Sequence, residues 1–278
     1  MGVGITGWEQ DKRGHFDAIV ENYDKIRPEY PGKLTADVID FVGYREETRA
    51  IEIGAGTGKA TTPFLNAGYN VTAIEISENM AGFMCERFRN YPNFNVITAA
   101  FEDTILDENS YDLIYAASAF HWVNAEIGCP KVFRLLKSGG VFALLRYNFL
   151  VTHNEALDYE IHTVYEKYYF SYYTSKPRTN RYRRSHDEFR EPAEILKNYG
   201  FEDMKSYGFD NVSLKLYDVT WSYDADEYIS LLETFSDHRH LPEENRAALY
   251  AGVKEKIINY GGYLRGEDVF QLYMGKKL

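Results

Sequence analysis

Residues 50–59 read Ala-Ile-Glu-Ile-Gly-Ala-Gly-Thr-Gly-Lys, and the rest of the chain can be placed around this stretch. The apolar run at 50–53 is typical of a short buried strand. Gly54, Gly56 and Gly58 follow, and a glycine without a Cβ permits positive φ angles and close approach of a ligand to the backbone. A helix-compatible stretch comes next. A strand, a glycine turn and a helix start together predict a nucleotide-type site with backbone N–H groups facing the ligand.

The spacing of the glycines separates this turn from two other nucleotide motifs. A dinucleotide fingerprint, G-x-G-x-x-G, would need its third glycine one residue later than Gly58. A P-loop needs a Ser or Thr hydroxyl directly after its lysine, whereas Ala60 follows Lys59. Two interpretations remain at this point: a site for another nucleotide-type ligand, or a glycine turn with no ligand.

A carboxylate lies at the expected distance beyond the turn. Residues 70–75 form a second predicted strand that ends on Glu75, 21 residues after Gly54. An acidic side chain at this strand tip can accept hydrogen bonds from both ribose hydroxyls of a nucleoside. Ile76 would then lie against the adenine ring. The alternative for Glu75 taken alone is a solvated strand end.

The chain continues as alternating strands and helices. Further apolar strands are predicted at 93–98, 113–117 and 141–147. With five alternations by residue 147, the pattern is that of an α/β protein with a doubly wound parallel sheet.

Residues 150–191 interrupt the alternation, and we expect them to form a helical lid. An insertion after the fifth strand lies over the carboxyl edge of the sheet, where α/β proteins bind ligands. The stretch 176–190 carries six Lys or Arg residues against two acidic ones. Its arginines, with Arg181 and Arg184 as the chosen candidates, either receive an anionic substrate or belong to a solvated loop paired with the acidic protein body.

Composition limits the partners and the location. The 278 residues carry a formal net charge of −11, which disfavours a nucleic-acid partner. No apolar run approaches the length of a membrane span. The two cysteines lack metal or disulfide spacing, which predicts a reducing cytoplasm. We expect one domain, with a core at 14–147 and completion of the sheet by 192–278, and a monomer or homodimer.

Several segments in register resemble one enzyme family. Glu52 to Gly58 resembles the E/D-x-G-x-G-x-G signature of class I S-adenosylmethionine-dependent methyltransferases of the small-molecule type. The segment Tyr23-x-x-x-Arg27-Pro28-x-Tyr30-Pro31 is similar to their entry segment, and 118–122, ending in Phe-His-Trp, is similar to the segment after their fourth strand. Residues 135–140 resemble their L-K-P-G-G turn, and the C-terminal part resembles the trans-aconitate methyltransferase-like group.

The resemblance implies a Rossmann-like, mostly parallel sheet of seven strands with the last strand antiparallel, and S-adenosylmethionine as cofactor. It implies that Tyr23 covers the cofactor and that Arg27 meets the cofactor's carboxylate. It also implies that small residues at the fourth strand tip accommodate the sulfonium. The predicted cofactor-binding residues are Tyr23, Arg27, Glu52, Gly54, Ala55, Gly56, Thr57, Gly58, Glu75, Ile76, Phe101, Glu102 and Ala117.

Two positions depart from the family, and the first is Ser138, which stands in place of the proline of the L-K-P-G-G turn. The second is Ala100, which stands where the family usually has the acid that meets the adenine amino group. The backbone N–H of Phe101 and the carboxylate of Glu102 are the candidates to replace that contact.

The family comparison leaves the reaction partly open. His121 is the candidate base or substrate-orienting residue, and a structural wall beside the cofactor is the alternative. Trp122 is a candidate substrate contact. The leading hypothesis is methyl transfer to a small metabolite, with an anionic acceptor as one possibility. A carboxylate acceptor would need no base. The alternatives are a non-catalytic cofactor-binding or interaction protein, and a nicotinamide-dependent oxidoreductase, against which the glycine spacing argues.

Overall fold

A computed structural model describes residues 19–43, 47–174 and 204–278, with only the backbone of 148–152. Within these ranges seven strands form one sheet in the order β3-β2-β1-β4-β5-β7-β6. The strands are β1 (Arg49–Ile53), β2 (Asn70–Glu75), β3 (Phe94–Thr98), β4 (Tyr111–Ala117), β5 (Leu136–Thr152), β6 (Phe209–Asp224) and β7 (Tyr263–Lys277).

The first five strands are parallel, and β7 is antiparallel to both β5 and β6. This confirms the predicted seven-stranded α/β fold with an antiparallel last strand. The strand order reverses beside β1, so the carboxyl ends of β1 and β4 open a crevice at that edge.

The helices cover both faces of the sheet and one end of it. They are α1 (Val20–Ile26), α2 (Gly32–Val42), α3 (Thr61–Asn66), α4 (Glu78–Arg87), α5 (Ala125–Leu135), α6 (Glu155–Tyr168), α7 (Ala225–Leu232), α8 (Ser236–Arg239) and α9 (Glu243–Asn259). Two short 3₁₀ turns follow β3 and β4, at Phe101–Asp103 and Phe120–Trp122. Among the described residues, none of these helices has the length and apolar composition that a membrane crossing requires.

Local sequence signals account for several helix starts. Ser77 caps α4 by accepting a hydrogen bond from the Met80 N–H, as its position predicts. Asp224 and Glu227 form a capping box at the start of α7. The side chain of Asn154 caps α6 by accepting a hydrogen bond from the Leu157 N–H.

Three apolar clusters build the core. One contains Leu34 and Phe64 and lies between the sheet and the layer of α2 and α3, and the second contains Ile53 and Val132 and lies under α5. The third joins α6, α7 and α9 around Tyr165 and Val253. The long strands β6 and β7 carry this third cluster beyond the end of the parallel sheet, next to the crevice.

The predicted lid is described only in part. Helix α6 and the following turn to residue 174 form its first half. The remainder of the lid, with Arg181 and Arg184, lies outside the described residues.

Candidate functional site

The glycine turn after β1 has the backbone that its sequence predicts. Gly54, Gly56 and Gly58 have φ angles of 64°, 59° and 82°, in the left-handed region that favours glycine. A Cβ on Gly54 would lie 2.6 Å from that of Ala119, and a Cβ on Gly58 would collide with the ring of Phe88. Gly56 is different, since its nearest neighbours would be 3.8 Å away or more. Gly54 and Gly58 are therefore needed for packing, whereas Gly56 leaves space free toward the crevice.

The carboxylate of Glu75 lies against this turn. Its Oε2 accepts a hydrogen bond of 2.7 Å from the Gly56 N–H, and its Oε1 accepts one of 2.9 Å from the Ser77 N–H. The side chain is 6% exposed. A carboxylate can accept about four hydrogen bonds in all. The turn and the acidic strand tip, predicted separately from the sequence, thus form one unit.

Glu75 and Gly56 line a cavity of about 800 Å³ at the carboxyl edge of the sheet. The end near β2 and β3 is formed by Ile74, Glu75, Ile76, Met80, Ala99, Ala100, Phe101 and Glu102. The other end is formed by Arg27, His121, Trp122, Arg146, Tyr147, Tyr172, Tyr173, Phe235, Ser236, Asp237 and His240. A volume of this size lies within the usual range for small-molecule sites.

A buried lysine shapes the end near β3. The Lys131 ammonium donates to the carbonyl oxygens of Phe101, Glu102 and Thr104, at 2.7, 3.1 and 2.5 Å. Burial lowers the pKa of Lys131, although the carboxylates of Asp103 and Glu102 act in the opposite direction. These bonds satisfy carbonyls at the end of the 3₁₀ turn and fix the backbone that carries Glu102.

Tyr23 and Arg27 of the entry segment line the cavity. Burial raises the pKa of Tyr23 to about 12, so its hydroxyl is a neutral hydrogen-bond donor. The Arg27 guanidinium donates to Thr234 Oγ1, to the Thr234 carbonyl oxygen and to the Tyr147 hydroxyl, at 2.7, 2.8 and 3.0 Å. It also lies over the Phe235 ring, 4.4 Å from its centroid. Three of its five N–H groups are thereby used, and two remain for a ligand.

His121 and Trp122 both line the cavity, with ring centroids 5.2 Å apart. His121 is an exposed residue that lines the cavity. The surrounding protein, together with the positive charges of Arg146 and Arg27, lowers the pKa of its imidazole. The imidazole is therefore neutral near pH 7.

Glu52 does not reach the cavity, and its predicted cofactor contact is not supported by its position. It is 1% exposed, and its Oε2 accepts hydrogen bonds from Thr61 at 2.5 Å and from Tyr115 at 2.8 Å. Side chains alternate along a strand, so Ile53 faces the crevice while Glu52 faces the layer of α3. Burial raises its pKa to about 7, because the hydrogen bonds only partly offset the loss of solvation.

The remaining predicted residues divide into three groups. Those that the structure brings together around the cavity are Tyr23, Arg27, Gly54, Gly56, Glu75, Ile76, Phe101, Glu102, Ala117, His121 and Trp122. Those that belong to the turn but do not line the cavity are Ala55, Thr57 and Gly58. Arg181 and Arg184 lie outside the described residues, so their predicted contact with substrate is untested. The binding roles of all three groups remain predictions.

The sequence interpretation missed one wall of the cavity. Asp237 accepts hydrogen bonds at Oδ2 from Tyr169 and at its carbonyl oxygen from Tyr173, at 2.5 and 2.6 Å. Its Oδ1 lies 2.8 Å from His238 Nδ1, and His238 Nε2 lies 2.8 Å from the Tyr165 hydroxyl. This network joins the start of α8 to α6. The density of tyrosines at 165–173 is the signal that could have indicated it.

Arg146 was missed as well. It follows Leu145, the β5 residue that pairs with Ala117 at the carboxyl end of β4, and an arginine at that edge of a parallel sheet is a signal for a ligand contact. In the described residues, no group of three or more His, Cys, Asp or Glu side chains is placed to hold a metal ion.

Residues 51–144, which contain the turn, Glu75 and β4, match the family profile of the methyltransferase domain. This segment is similar to a methyltransferase domain. An uncharacterised methyltransferase of Mycobacterium tuberculosis is 32% identical over 141 residues, 51% of this chain and 55% of that protein. The alignment with this relative thus spans about half of the relative's length. An uncharacterised methyltransferase of Schizosaccharomyces pombe is 25% identical over 243 residues, 87% of this chain and 86% of that protein.

Solved structures show the same methyltransferase fold. A protein of Anaeromyxobacter dehalogenans assigned as a type II methyltransferase has a TM-score of 0.60 at 19% identity, over 91% of this chain and 98% of that one. A phosphoethanolamine N-methyltransferase of Haemonchus contortus, in complex with phosphomonomethylethanolamine and S-adenosylhomocysteine, has a TM-score of 0.54 at 16% identity. That alignment covers 96% of this chain and 60% of the nematode enzyme.

Proposed function

We propose that this chain binds S-adenosylmethionine and transfers its methyl group to a small-molecule acceptor. The observation that carries the proposal is the contact of the Glu75 carboxylate with the Gly56 N–H at the wall of the 800 Å³ cavity. A nucleoside needs an anionic acceptor for its ribose hydroxyls beside a backbone that permits close approach. The Haemonchus contortus neighbour, which holds S-adenosylhomocysteine on the same fold, supports this choice of cofactor.

The residues at the β2–β3 end of the cavity fit an adenosine. Ile76, Met80 and Phe101 offer apolar contacts to a flat ring. Ala100 stands where the family usually has an acidic residue, and the carboxylate of Glu102 lies two positions further along the chain. We assign the Glu75 carboxylate to the ribose hydroxyls, because it lies at the turn that permits close approach. We assign the free N–H groups of Arg27 to the carboxylate of the cofactor's methionine part.

When bound, S-adenosylmethionine supplies a methyl carbon already activated by a sulfonium. The protein then has to align the acceptor and exclude water. Aromatic side chains surround the acceptor end of the cavity on three sides: Trp122, Tyr147, Tyr172, Tyr173 and Phe235. Because Tyr172 and Tyr173 follow α6, the described half of the lid takes part in this enclosure.

The charges at the acceptor end favour an anionic acceptor. Arg146 lines this end, and this arginine carries the argument, because the charge of Arg27 is offset by the cofactor carboxylate assigned to it. The Asp237 carboxylate opposes Arg146, but its two oxygens already contact Tyr169 and His238. With its lowered pKa, His121 is a weak base at pH 7 and poorly matched to removing a proton from a hydroxyl. A carboxylate nucleophile, ionised without help, suits this arrangement.

Two measurements test the proposal. Isothermal titration should show saturable binding of S-adenosylmethionine, and folded protein that binds none would contradict the cofactor assignment. A screen of small carboxylic acids, hydroxy compounds and amines with the labelled cofactor should then give methyl ester products. Cofactor binding without transfer to any acceptor would favour the non-catalytic alternative.

A further inference from the structure

A second cavity lies apart from the methyl-transfer cavity. It has a volume of about 130 Å³ and is lined by Glu233, Arg239, Arg246 and Tyr250. Glu233 directly follows α7, Arg239 ends α8, and Arg246 and Tyr250 are one turn apart on α9. A single water needs about 10–15 Å³ on the same measure, so the space admits a group of several non-hydrogen atoms.

Two polar groups at this cavity are buried without a hydrogen-bond partner. They are the Nε of Arg239 and the hydroxyl of Tyr250, for neither of which the described part of the chain supplies a partner. Burial, and secondarily the nearby Glu233 carboxylate, raises the pKa of Tyr250, so its hydroxyl is protonated and can donate. Both groups are therefore donors without an acceptor, and a buried donor that makes no hydrogen bond costs folding free energy.

A second guanidinium is held at the same place. The Nη1 of Arg246 donates to the carbonyl oxygen of Arg239 at 3.0 Å, which fixes its direction. Within the described ranges, no ion pair joins Glu233 to either arginine. The charges of Arg239 and Arg246 act on Tyr250 together with those of Glu233 and Asp237, and in the described ranges neither guanidinium forms an ion pair with a carboxylate.

We propose that this cavity binds a small oxyanion, a carboxylate or phosphate group, through Arg239, Arg246 and Tyr250. Guanidinium groups pair with planar carboxylates and with phosphate oxygens through parallel N–H bonds. The Tyr250 hydroxyl adds a neutral donor that no competing acceptor occupies. Glu233 at the rim reduces the positive charge, so a monoanion is bound in preference to a dianion.

The position gives the site a route to the methyl-transfer cavity. Arg239 belongs to the same short helix as Ser236 and Asp237, and His240 follows it; these three line the larger cavity. An anion that fixes Arg239 also fixes this wall. The site itself does not depend on the proposed methyl transfer, and its test requires neither cofactor nor acceptor.

The test measures thermal unfolding and isothermal titration with acetate, inorganic phosphate, sulfate and chloride at constant ionic strength. We expect a saturable rise in melting temperature with acetate or phosphate that follows a single-site binding curve. Comparing the dissociation constants of acetate and phosphate identifies the preferred oxyanion. Sulfate, a dianion, should bind more weakly than the preferred monoanion. Arg239→Gln and Arg246→Gln should abolish the saturable rise, and Tyr250→Phe should weaken it severalfold.

Arg265→Gln is the matched control, since Arg265 lies on β7 over the ring of Tyr263 and away from the cavity. It should bind the anion as the original chain does. An equal effect of chloride, a rise that never saturates, or undiminished binding by Arg246→Gln would overturn the proposal. If Arg239→Gln fails to fold, Arg246→Gln and Tyr250→Phe still decide the outcome.

Discussion

Replacing Glu75 by Gln tests the candidate cofactor site with almost no change of shape. The carboxylate now accepts one hydrogen bond at each oxygen, from Gly56 at 2.7 Å and from Ser77 at 2.9 Å. Gln offers one oxygen and one NH₂ group. One of the two backbone N–H groups would therefore face a donor, and the site would lose its negative charge.

The structure sets the size of both effects. A buried N–H left without its acceptor costs about 1–3 kcal/mol, which lowers the melting temperature of a chain this long by roughly 2–12 °C. A hydrogen bond from a ribose hydroxyl to a charged acceptor contributes about 1.5–3 kcal/mol. Losing one such bond raises the dissociation constant for S-adenosylmethionine by roughly 10- to 150-fold.

Isothermal titration at a temperature where both proteins are folded separates the two effects. Glu78→Gln, an exposed change of the same charge in the first turn of α4, is the matched control and should leave affinity unchanged. An unaltered dissociation constant for Glu75→Gln would refute the assignment of Glu75 to the ribose. An equal loss in both variants would show that net charge, and not the local contact, controls binding.

Three further changes test other parts of the site. Gly56→Val should lower the free energy of unfolding by only about 1–2 kcal/mol, because a Cβ fits there although the φ angle of 59° is unfavourable for valine. The variant should nevertheless lose cofactor binding, and a variant that still binds the cofactor would contradict the assigned position. Arg146→Gln should raise KM for a carboxylate acceptor about tenfold with little change in cofactor affinity, whereas an unchanged KM would remove Arg146 from acceptor recognition. Glu52→Gln should change how stability depends on pH. Folding raises the pKa of Glu52 from 4.5 to about 7, so its proton stabilises the fold fully below pH 4.5, and this contribution is lost as the pH rises through 7. The variant should therefore gain stability relative to the original chain between pH 5 and pH 8.5 in thermal unfolding, by an amount on the order of 3 kcal/mol; a difference that is constant with pH would contradict the raised pKa.

Local patterns were enough to predict the parallel half of the fold. The predicted strand 70–75 coincides with β2, and the glycine turn and Glu75 meet as the spacing indicates. Each of these features depends on residues close in sequence, where turn geometry and side-chain alternation act directly. The burial of Glu52 depends instead on the contacts of its carboxylate with Thr61 and Tyr115, which the local sequence of β1 does not show.

The acceptor end was less predictable because its residues come from distant segments. Arg146 lies on β5, Tyr172 and Tyr173 follow α6, and Phe235 to His240 span α8. Nothing in the local sequence of any one segment indicates that the three meet. Their meeting requires the long pairing of β6 and β7, which places α7 and α8 above the crevice.

The hydrogen bonds of Asp237 have a consequence for how acceptor preference can change during evolution. Tyr173 and Asp237 are separated by 64 positions, and Tyr165 and His238 by 73, yet they form one network. A substitution of only one residue of such a pair leaves a hydroxyl or carboxylate of the other without its hydrogen-bond partner. New specificities should therefore arise through paired exchanges in residues 165–173 and 235–240, and homologues with different acceptors should differ in both segments together.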